Sequence, residues 1–219
     1  MARLYRPVAA ARQTAWGVPQ QGDKTLAAKT VRVWDPFVRA SHWVLAVPFL
    51  VAFFTAEDFD TVHEVAGYTA LVTASLRILW GFVGPGNARF ADFVYRPAKI
   101  VAYLRDLVIF RARRHLGHSP AGGAMVVALL AITVAIGWSG VELEEGGVLF
   151  AAAPQLIASA RADGDGEGSG EKAMEEIHET LGNLGIVLVV LHLAGVALAS
   201  VVHRENLPRA MVTGSKRID

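Results

Sequence analysis

The stretch EIHETLGNLGIVLVVLHLAG, residues 176–195, places two histidines in a segment that is otherwise largely apolar. About 20 mostly apolar residues are enough for a helix to cross the hydrocarbon core of a bilayer. An ionisable ring inside such a helix is energetically costly and usually serves a function. His178 and His192 therefore mark this segment both as a membrane span and as part of a candidate site.

The composition supports a membrane protein and excludes several kinds of site. Hydrophobic residues make up 53% of the 219 residues, and cysteine is absent. Without cysteine, the chain cannot contain a disulfide, a thiolate metal site, an iron–sulfur cluster or a covalently attached c-type haem. We expect membrane lipid to surround the chain, and we expect no nucleic-acid partner.

Four segments have the length and apolarity of membrane-spanning helices. They cover residues 37–56, 62–83, 122–140 and 177–202. The sequence therefore predicts an all-α membrane protein, with a four-helix domain over residues 31–216, a polar N-terminal arm over 1–30 and a short C-terminal end over 217–219. A further apolar run, residues 147–160, is too short to span and contains Pro154, so we expect it at the membrane interface or against the bundle.

The distribution of basic residues predicts the orientation of the bundle. The N-terminal segment up to Ser41 and the loop 84–120 contain seven Lys and Arg each, and four more follow Val202. The two remaining loops contain only Arg161 and Lys172. Because loops rich in Lys and Arg stay in the cytoplasm, we expect both termini to be cytoplasmic. The acidic loop 141–176, with its Gly-rich part 161–172, is then on the outer side.

The spacing of the histidines predicts two pairs at different depths. Fourteen residues of helix rise about 21 Å and end about 40° from a whole number of turns, so His178 and His192 share one face. His63 opens the second span on the outer side, and His42 lies early in the first span on the cytoplasmic side. Depth therefore pairs His63 with His178, and His42 with His192.

Two such pairs within a four-helix bundle fit two haems b. Neutral imidazole is a good axial ligand, and two imidazoles fill both axial positions of the iron, which favours electron transfer over substrate chemistry. A histidine in a span can instead donate an interhelical hydrogen bond. The match of four histidines in two pairs favours haem ligation, so all four are candidate ligands of haem iron.

Small and basic residues near these histidines are further candidates for cofactor binding. Gly67, Gly182 and Gly195 each lie about one turn after a proposed ligand, where a larger side chain would crowd a flat macrocycle. Glycines in spans also serve helix packing, and that alternative remains open. Arg77 lies at cytoplasmic depth and could pair with a haem propionate, with a helix-end carbonyl or with Asp92. Arg39, one turn before His42, could bind a propionate or reach the lipid headgroups.

The chain resembles the bacterial cytochrome b561 family, which includes the b-type cytochrome subunit of nickel–iron hydrogenases. The matching stretches extend from Val31 to Lys216 and are VRVWDPFVRASHW, HEVAGYTALVTASLRILWGFVGP, ARFADFV, GHSPAGGAMVVALL, the two-histidine fourth span and MVTGSK. By this resemblance, the haem ligands of the family map to His42, His63, His178 and His192. The resemblance also implies a multi-pass protein of the bacterial cytoplasmic (inner) membrane.

The resemblance implies electron transfer between the quinone pool, ubiquinone or menaquinone, and a redox partner. That partner is a periplasmic c-type cytochrome in some members, and a hydrogenase or another dehydrogenase subunit in others. Some relatives oxidise a small outer-side species such as superoxide, so whether this oxidoreductase-type chain is itself an enzyme stays open. The acidic outer face favours a basic protein partner and disfavours an anionic substrate.

Overall fold

A computed structural model describes residues 30–144 and 169–218. Seven helices lie in these ranges: α1 Pro36–Thr55, α2 Asp60–Val83, α3 Phe90–Phe93, α4 Pro97–Val108, α5 Pro120–Glu144, α6 Ser169–His203 and α7 Leu207–Thr213. A single 3-10 turn, Gly86–Ala88, precedes α3, and two short strands, β1 Thr30–Arg32 and β2 Ser215–Arg217, form an antiparallel pair.

Four of these helices, α1, α2, α5 and α6, are long and apolar enough to cross a membrane. In the described ranges, close backbone packing joins α1 to α2, α2 to α5 and α5 to α6, whereas α6 has fewer close approaches to α1 and α2. Large apolar side chains are exposed along these helices, among them Phe54, Val65, Leu79 and Val190. Such a surface suits lipid and not water. The prediction of an all-α, four-helix membrane bundle is confirmed.

The start of α1 is fixed by its sequence. The carboxylate of Asp35 accepts a hydrogen bond from the backbone N–H of Val38 at 3.0 Å, and Pro36 occupies the first turn. Both features are favourable at a helix N-terminus, where backbone donors lack partners and proline costs little. This cap sets the position of His42 about two turns into the helix.

The third and fourth spans are longer than apolarity predicts. Helix α5 continues to Glu144, and α6 begins at Ser169, eight residues before the expected start at residue 177. The added residues are mostly Glu, Lys, Ala and Met, all of which favour helix. The charged Glu and Lys side chains place this part of the helix in water and not in hydrocarbon. The expected loop 141–176 is therefore helical at both ends. Residues 145–168, with the apolar run 147–160 and most of the Gly-rich part 161–172, lie outside the described ranges, as does the arm before Thr30.

The two ends of the described chain meet beside the first turns of α1. Strand β1 pairs with β2, and the backbone N–H groups of Val33 and Trp34 donate to the carbonyl of Gly214 at 2.8 and 3.1 Å. Gly214 has a φ of 82°, a left-handed conformation that glycine adopts without strain. We call residues 30–34 and 214–217 the terminal clasp. It covers a small apolar core of Val33, Trp34, Val38, Ala88 and Ala210.

Candidate functional site

The structure brings His63 of α2 to His178 of α6. Their ring centroids lie 6.0 Å apart, and the ring planes make an angle of 73°. The two rings come from helices that are not neighbours in sequence, and they lie near the end of the bundle at which α1 ends. We call this the His63 end.

The second pair lies at the opposite end of the bundle. The ring centroids of His42 and His192 are 6.4 Å apart, and the planes make an angle of 50°. The terminal clasp lies at this same end, which we call the His42 end. The structure thus brings together the same partners that the depth of each histidine predicts. Their assignment as haem ligands remains a prediction.

Both separations suit two imidazoles on opposite sides of one metal ion. A metal–imidazole bond is about 2.0–2.1 Å long, and the centre of a five-membered ring lies about 1.1 Å from each ring atom. Two rings on a straight nitrogen–metal–nitrogen axis therefore have centroids about 6.3 Å apart. Because the observed distances are 6.0 and 6.4 Å, each pair of rings has a spacing at which the two imidazoles would hold one haem iron between them.

His63 is oriented by a backbone carbonyl. Its Nδ1 lies 2.8 Å from the carbonyl oxygen of Ala52, in the last turn of α1. Because a carbonyl can only accept, Nδ1 carries the proton and Nε2 keeps a free lone pair. Carbonyls in the last turn of a helix have few intrahelical partners and carry the negative end of its dipole. The carbonyl of Ala52 therefore holds the ring of His63 in the tautomer that can bind a metal through Nε2.

His178 is oriented by a side-chain hydroxyl. The Oγ of Ser139 on α5 lies 2.9 Å from Nδ1 of His178 and donates its proton to the carbonyl of Ile136, also at 2.9 Å. With the single hydroxyl proton so placed, Nδ1 of His178 must be the donor, and Nε2 is again free. Gly140 lies against the same ring, since a Cβ there would be 3.2 Å from Cε1 of His178.

The pair at the His42 end has no such hydrogen bonds in the described ranges. The Nδ1 of His42 is buried without a partner, and neither ring nitrogen of His192 is hydrogen-bonded to a described residue. The ring of His42 instead packs edge-on against Trp43, with centroids 5.0 Å apart. The two pairs therefore share their spacing but differ in how the rings are held.

The three candidate glycines adjoin open space. A Cβ built on Gly67, Gly182 or Gly195 would meet no atom within 4 Å. Gly185, halfway between the two histidines of α6, behaves differently, because a Cβ there would lie 2.9 Å from Cζ of Phe49. Gly185 thus serves helix packing, whereas the three candidates have no packing neighbour at this position, and their role beside a haem remains a prediction.

The two candidate arginines have partners inside the protein. Nη1 of buried Arg77 donates to the carbonyl of Ala88 at 3.4 Å, at the end of the 3-10 turn. This contact corresponds to the helix-end carbonyl among the three predicted alternatives. Arg39 donates to the carbonyl of Val212 and so holds the end of α7 against α1. Propionate binding by either arginine remains a prediction.

Sequence reasoning did not find the groups that orient the histidines. The carbonyl of Ala52 has no signature in sequence, because every residue has a carbonyl. Ser139 could have been noticed as a buried hydroxyl in a span, yet serines are common there as packing residues. Gly140 lies next to Ser139 on α5. Because α5 contains no histidine, a search for glycines one turn from a histidine could not find it.

Comparisons with known proteins agree with this geometry. Residues 33–214 match the family model described as prokaryotic cytochrome b561. Neither the curated proteins nor the solved structures include a match to the chain. Because the matched residues cover most of the chain, from the terminal clasp through all four spans, the chain belongs to the prokaryotic cytochrome b561 family, whose members are membrane cytochromes that bind haem b and transfer electrons.

Proposed function

We propose that the chain conducts electrons across the bacterial inner membrane through two haems b, each held by two histidines. His63 and His178 hold one haem near the outer face, and His42 with His192 hold the other near the cytoplasm. The observation that carries this proposal is the spacing of the two ring pairs, 6.0 and 6.4 Å between centroids. Haem iron with both axial positions filled supplies one-electron transfer without an open site for substrate.

The surrounding helices orient the imidazoles and exclude water. A haem beside the rings would find open space at Gly67, Gly182 and Gly195. The apolar side chains exposed on α1, α2 and α6 would face lipid and keep water away from it. The two centres lie about 21 Å apart along α6, because fourteen residues separate His178 from His192. This spacing covers most of the hydrocarbon thickness, so both membrane faces come within reach of an electron carrier.

The proposed partners are quinone and a protein on the outer face. The membrane-embedded chain has access to ubiquinone or menaquinone through the lipid. At the His63 end, the turn between α1 and α2 exposes Glu57, Asp58 and Asp60, and the first turns of α6 expose Glu175 and Glu176. Such an acidic surface attracts a basic partner, and we propose a periplasmic c-type cytochrome. A hydrogenase or other dehydrogenase subunit is the second candidate, favoured by family membership alone.

The proposal is tested by counting haem b per chain in the detergent-purified protein. We expect a value of about two for the unchanged chain. His178→Ala and His192→Ala should each leave about one haem, because each removes a ligand from a different pair. A paired measurement of membrane insertion separates loss of haem from loss of folding. Loss of both haems from either inserted variant would contradict the assignment of two independent pairs.

Purification itself distinguishes the two partner classes. A chain that inserts, purifies alone and binds haem supports a self-contained electron conduit. A chain that retains haem only when co-purified with a larger catalytic protein supports the dedicated-subunit alternative. The second result would leave the histidine pairs intact and change only the partner.

A further inference from the structure

The two histidine pairs differ in the hydrogen bonds that reach their Nδ1 atoms. At the His63 end both rings donate from Nδ1, one to the Ala52 carbonyl at 2.8 Å and one to Ser139 Oγ at 2.9 Å. At the His42 end, Nδ1 of His42 is buried without a partner, and among the described residues no hydrogen bond reaches the ring of His192. All four histidines are half-buried, so a difference in burial between the two pairs does not explain the difference in hydrogen bonding.

A hydrogen bond from Nδ1 changes what the ring does at Nε2. Donation from Nδ1 moves electron density into the ring and raises the basicity of the other nitrogen. A more basic axial ligand stabilises ferric iron relative to ferrous iron, so it lowers the reduction potential of the bound iron. The His63 end has two such ligands and the His42 end has none.

Charge acts in the same direction as the hydrogen bonds. Glu57 lies in the turn after α1, and helices α2, α5 and α6 carry Glu64, Glu142, Glu144 and Glu179 near the His63 end, where Lys172 is the basic residue on α6. The buried guanidinium of Arg77 lies at the His42 end, together with the buried ammonium of Lys216, whose Nζ is 3.8 Å from Oε2 of Glu205. Negative charge favours the ferric state and positive charge favours the ferrous state, and both effects are strong where the dielectric constant is low.

We infer that Ser139 is a positioning residue for His178, and that the haem at the His63 end has the lower reduction potential of the two. This inference rests on the proposed function, because it requires that the four histidines bind haem. Electron transfer from the His63 end to the His42 end is then energetically downhill. Ser139 contributes through the ring that it orients, and it does not contact the iron.

The test is a potentiometric titration of the haem absorbance of the whole protein in detergent or nanodiscs. The unchanged chain should give two waves. Ser139→Ala should move the lower wave to a higher potential and leave the upper wave in place. Ser139→Thr, which keeps a hydroxyl at the same position, should restore the lower wave toward its original value.

A matched control is available on the same helix. The hydroxyl of Thr133, six residues earlier on α5, is also buried and donates to a carbonyl, that of Leu129, at 2.7 Å. Thr133→Val therefore removes a buried hydroxyl that has no histidine neighbour among its hydrogen bonds. We expect this variant to leave both waves unchanged.

The assignment of the waves comes from chains with a single pair. His192→Ala leaves the His63–His178 centre, and His178→Ala leaves the His42–His192 centre, so the first should show the lower potential. The inference is overturned if Ser139→Ala retains two haems and moves neither wave, or moves the upper one. A chain that folds and binds no haem would instead contradict the proposed function itself, so the two failures are distinguishable.

Discussion

At the scale of single residues, His118 shows how strongly the cytochrome domain can perturb an ionisable ring outside the spans. Its ring packs against Trp34 and Phe93, with centroids 4.6 and 4.3 Å away, and its Nδ1 is buried without a hydrogen bond. Burial, followed by the positive charges of Arg77 and Lys216, lowers the pKa of His118 to about 3, although the Asn87 backbone opposes the shift. The ring is therefore neutral at pH 7.

This pKa predicts a loss of stability in mild acid. Between pH 6.5 and pH 3 the unfolded chain binds a proton on His118 that the folded chain does not, so stability falls as pH falls through this window. The contribution of this one ring is about 2 kcal/mol between pH 7 and pH 5. Thermal unfolding in detergent at both pH values should show a smaller acid-induced decrease for His118→Gln than for the unchanged chain. An equal decrease in both proteins would contradict the buried, neutral ring.

At the scale of secondary-structure elements, α4 presents three different faces. Tyr103 and Leu107 are buried, and the hydroxyl of Tyr103 lies 3.2 Å from Nε2 of His203 at the end of α6. Val101 and Val108 lie on a second face and are 65% and 67% exposed. Exposed polar residues, among them Lys99 and Asp106, occupy the third face. Helices that lie along a membrane surface combine apolar and charged faces in this way.

We therefore predict that α4 lies in the plane of the membrane at the His42 end. The chain has no cysteine, so single-cysteine spin labels can be introduced without background. In nanodiscs, a label at Val101→Cys or Val108→Cys should be accessible to oxygen and shielded from a water-soluble nickel chelate. Asp106→Cys is the matched control and should show the reverse. Free access of the chelate to all three positions would place α4 in water.

Sequence reasoning found the four spans because each is a long apolar run, and it found the histidines because ionisable rings stand out in such runs. It missed α4, which is short and only partly apolar, and the first turns of α6, whose Glu and Lys residues form helix outside the hydrocarbon. It could not find the Ala52 carbonyl, whose role depends on where α1 ends relative to His63. Long-range pairings such as that of β1 with β2 have no local signal in three-residue strands.

At the scale of the whole molecule, charge separates along the bundle axis. Exposed acids such as Glu57 and Asp58 lie at the His63 end, whereas the exposed basic residues Arg96, Lys99 and Arg105 precede or lie on α4 at the other end. Fields of this kind raise the encounter rate of proteins with opposite charge and lose effect as salt screens them.

We predict that the acidic end accelerates electron exchange with a basic c-type cytochrome. The rate of electron exchange, followed by stopped-flow through the haem b absorbance, should fall as ionic strength rises. The double change Glu57→Gln and Asp58→Asn should lower the rate at low salt by roughly three- to tenfold and weaken its salt dependence. Asp106→Asn, at the opposite end, should leave the rate unchanged. A rate that is insensitive to both salt and the double change would exclude steering by this surface.

The terminal clasp has a consequence for the order in which the protein can be assembled. Strand β1 comes before the first span, and its partner β2 comes after the fourth, so the pairing joins the two ends of the whole bundle. During synthesis, β1 is made before β2, so β1 stays unpaired until all four spans have been made. The contacts of Trp34 with Gly214 and of Arg39 with Val212 are thus formed last, whereas the His63–His178 pair needs only its helices. A chain that ended after α6 would contain all four histidines but lack β2, so β1 would have no partner at the His42 end.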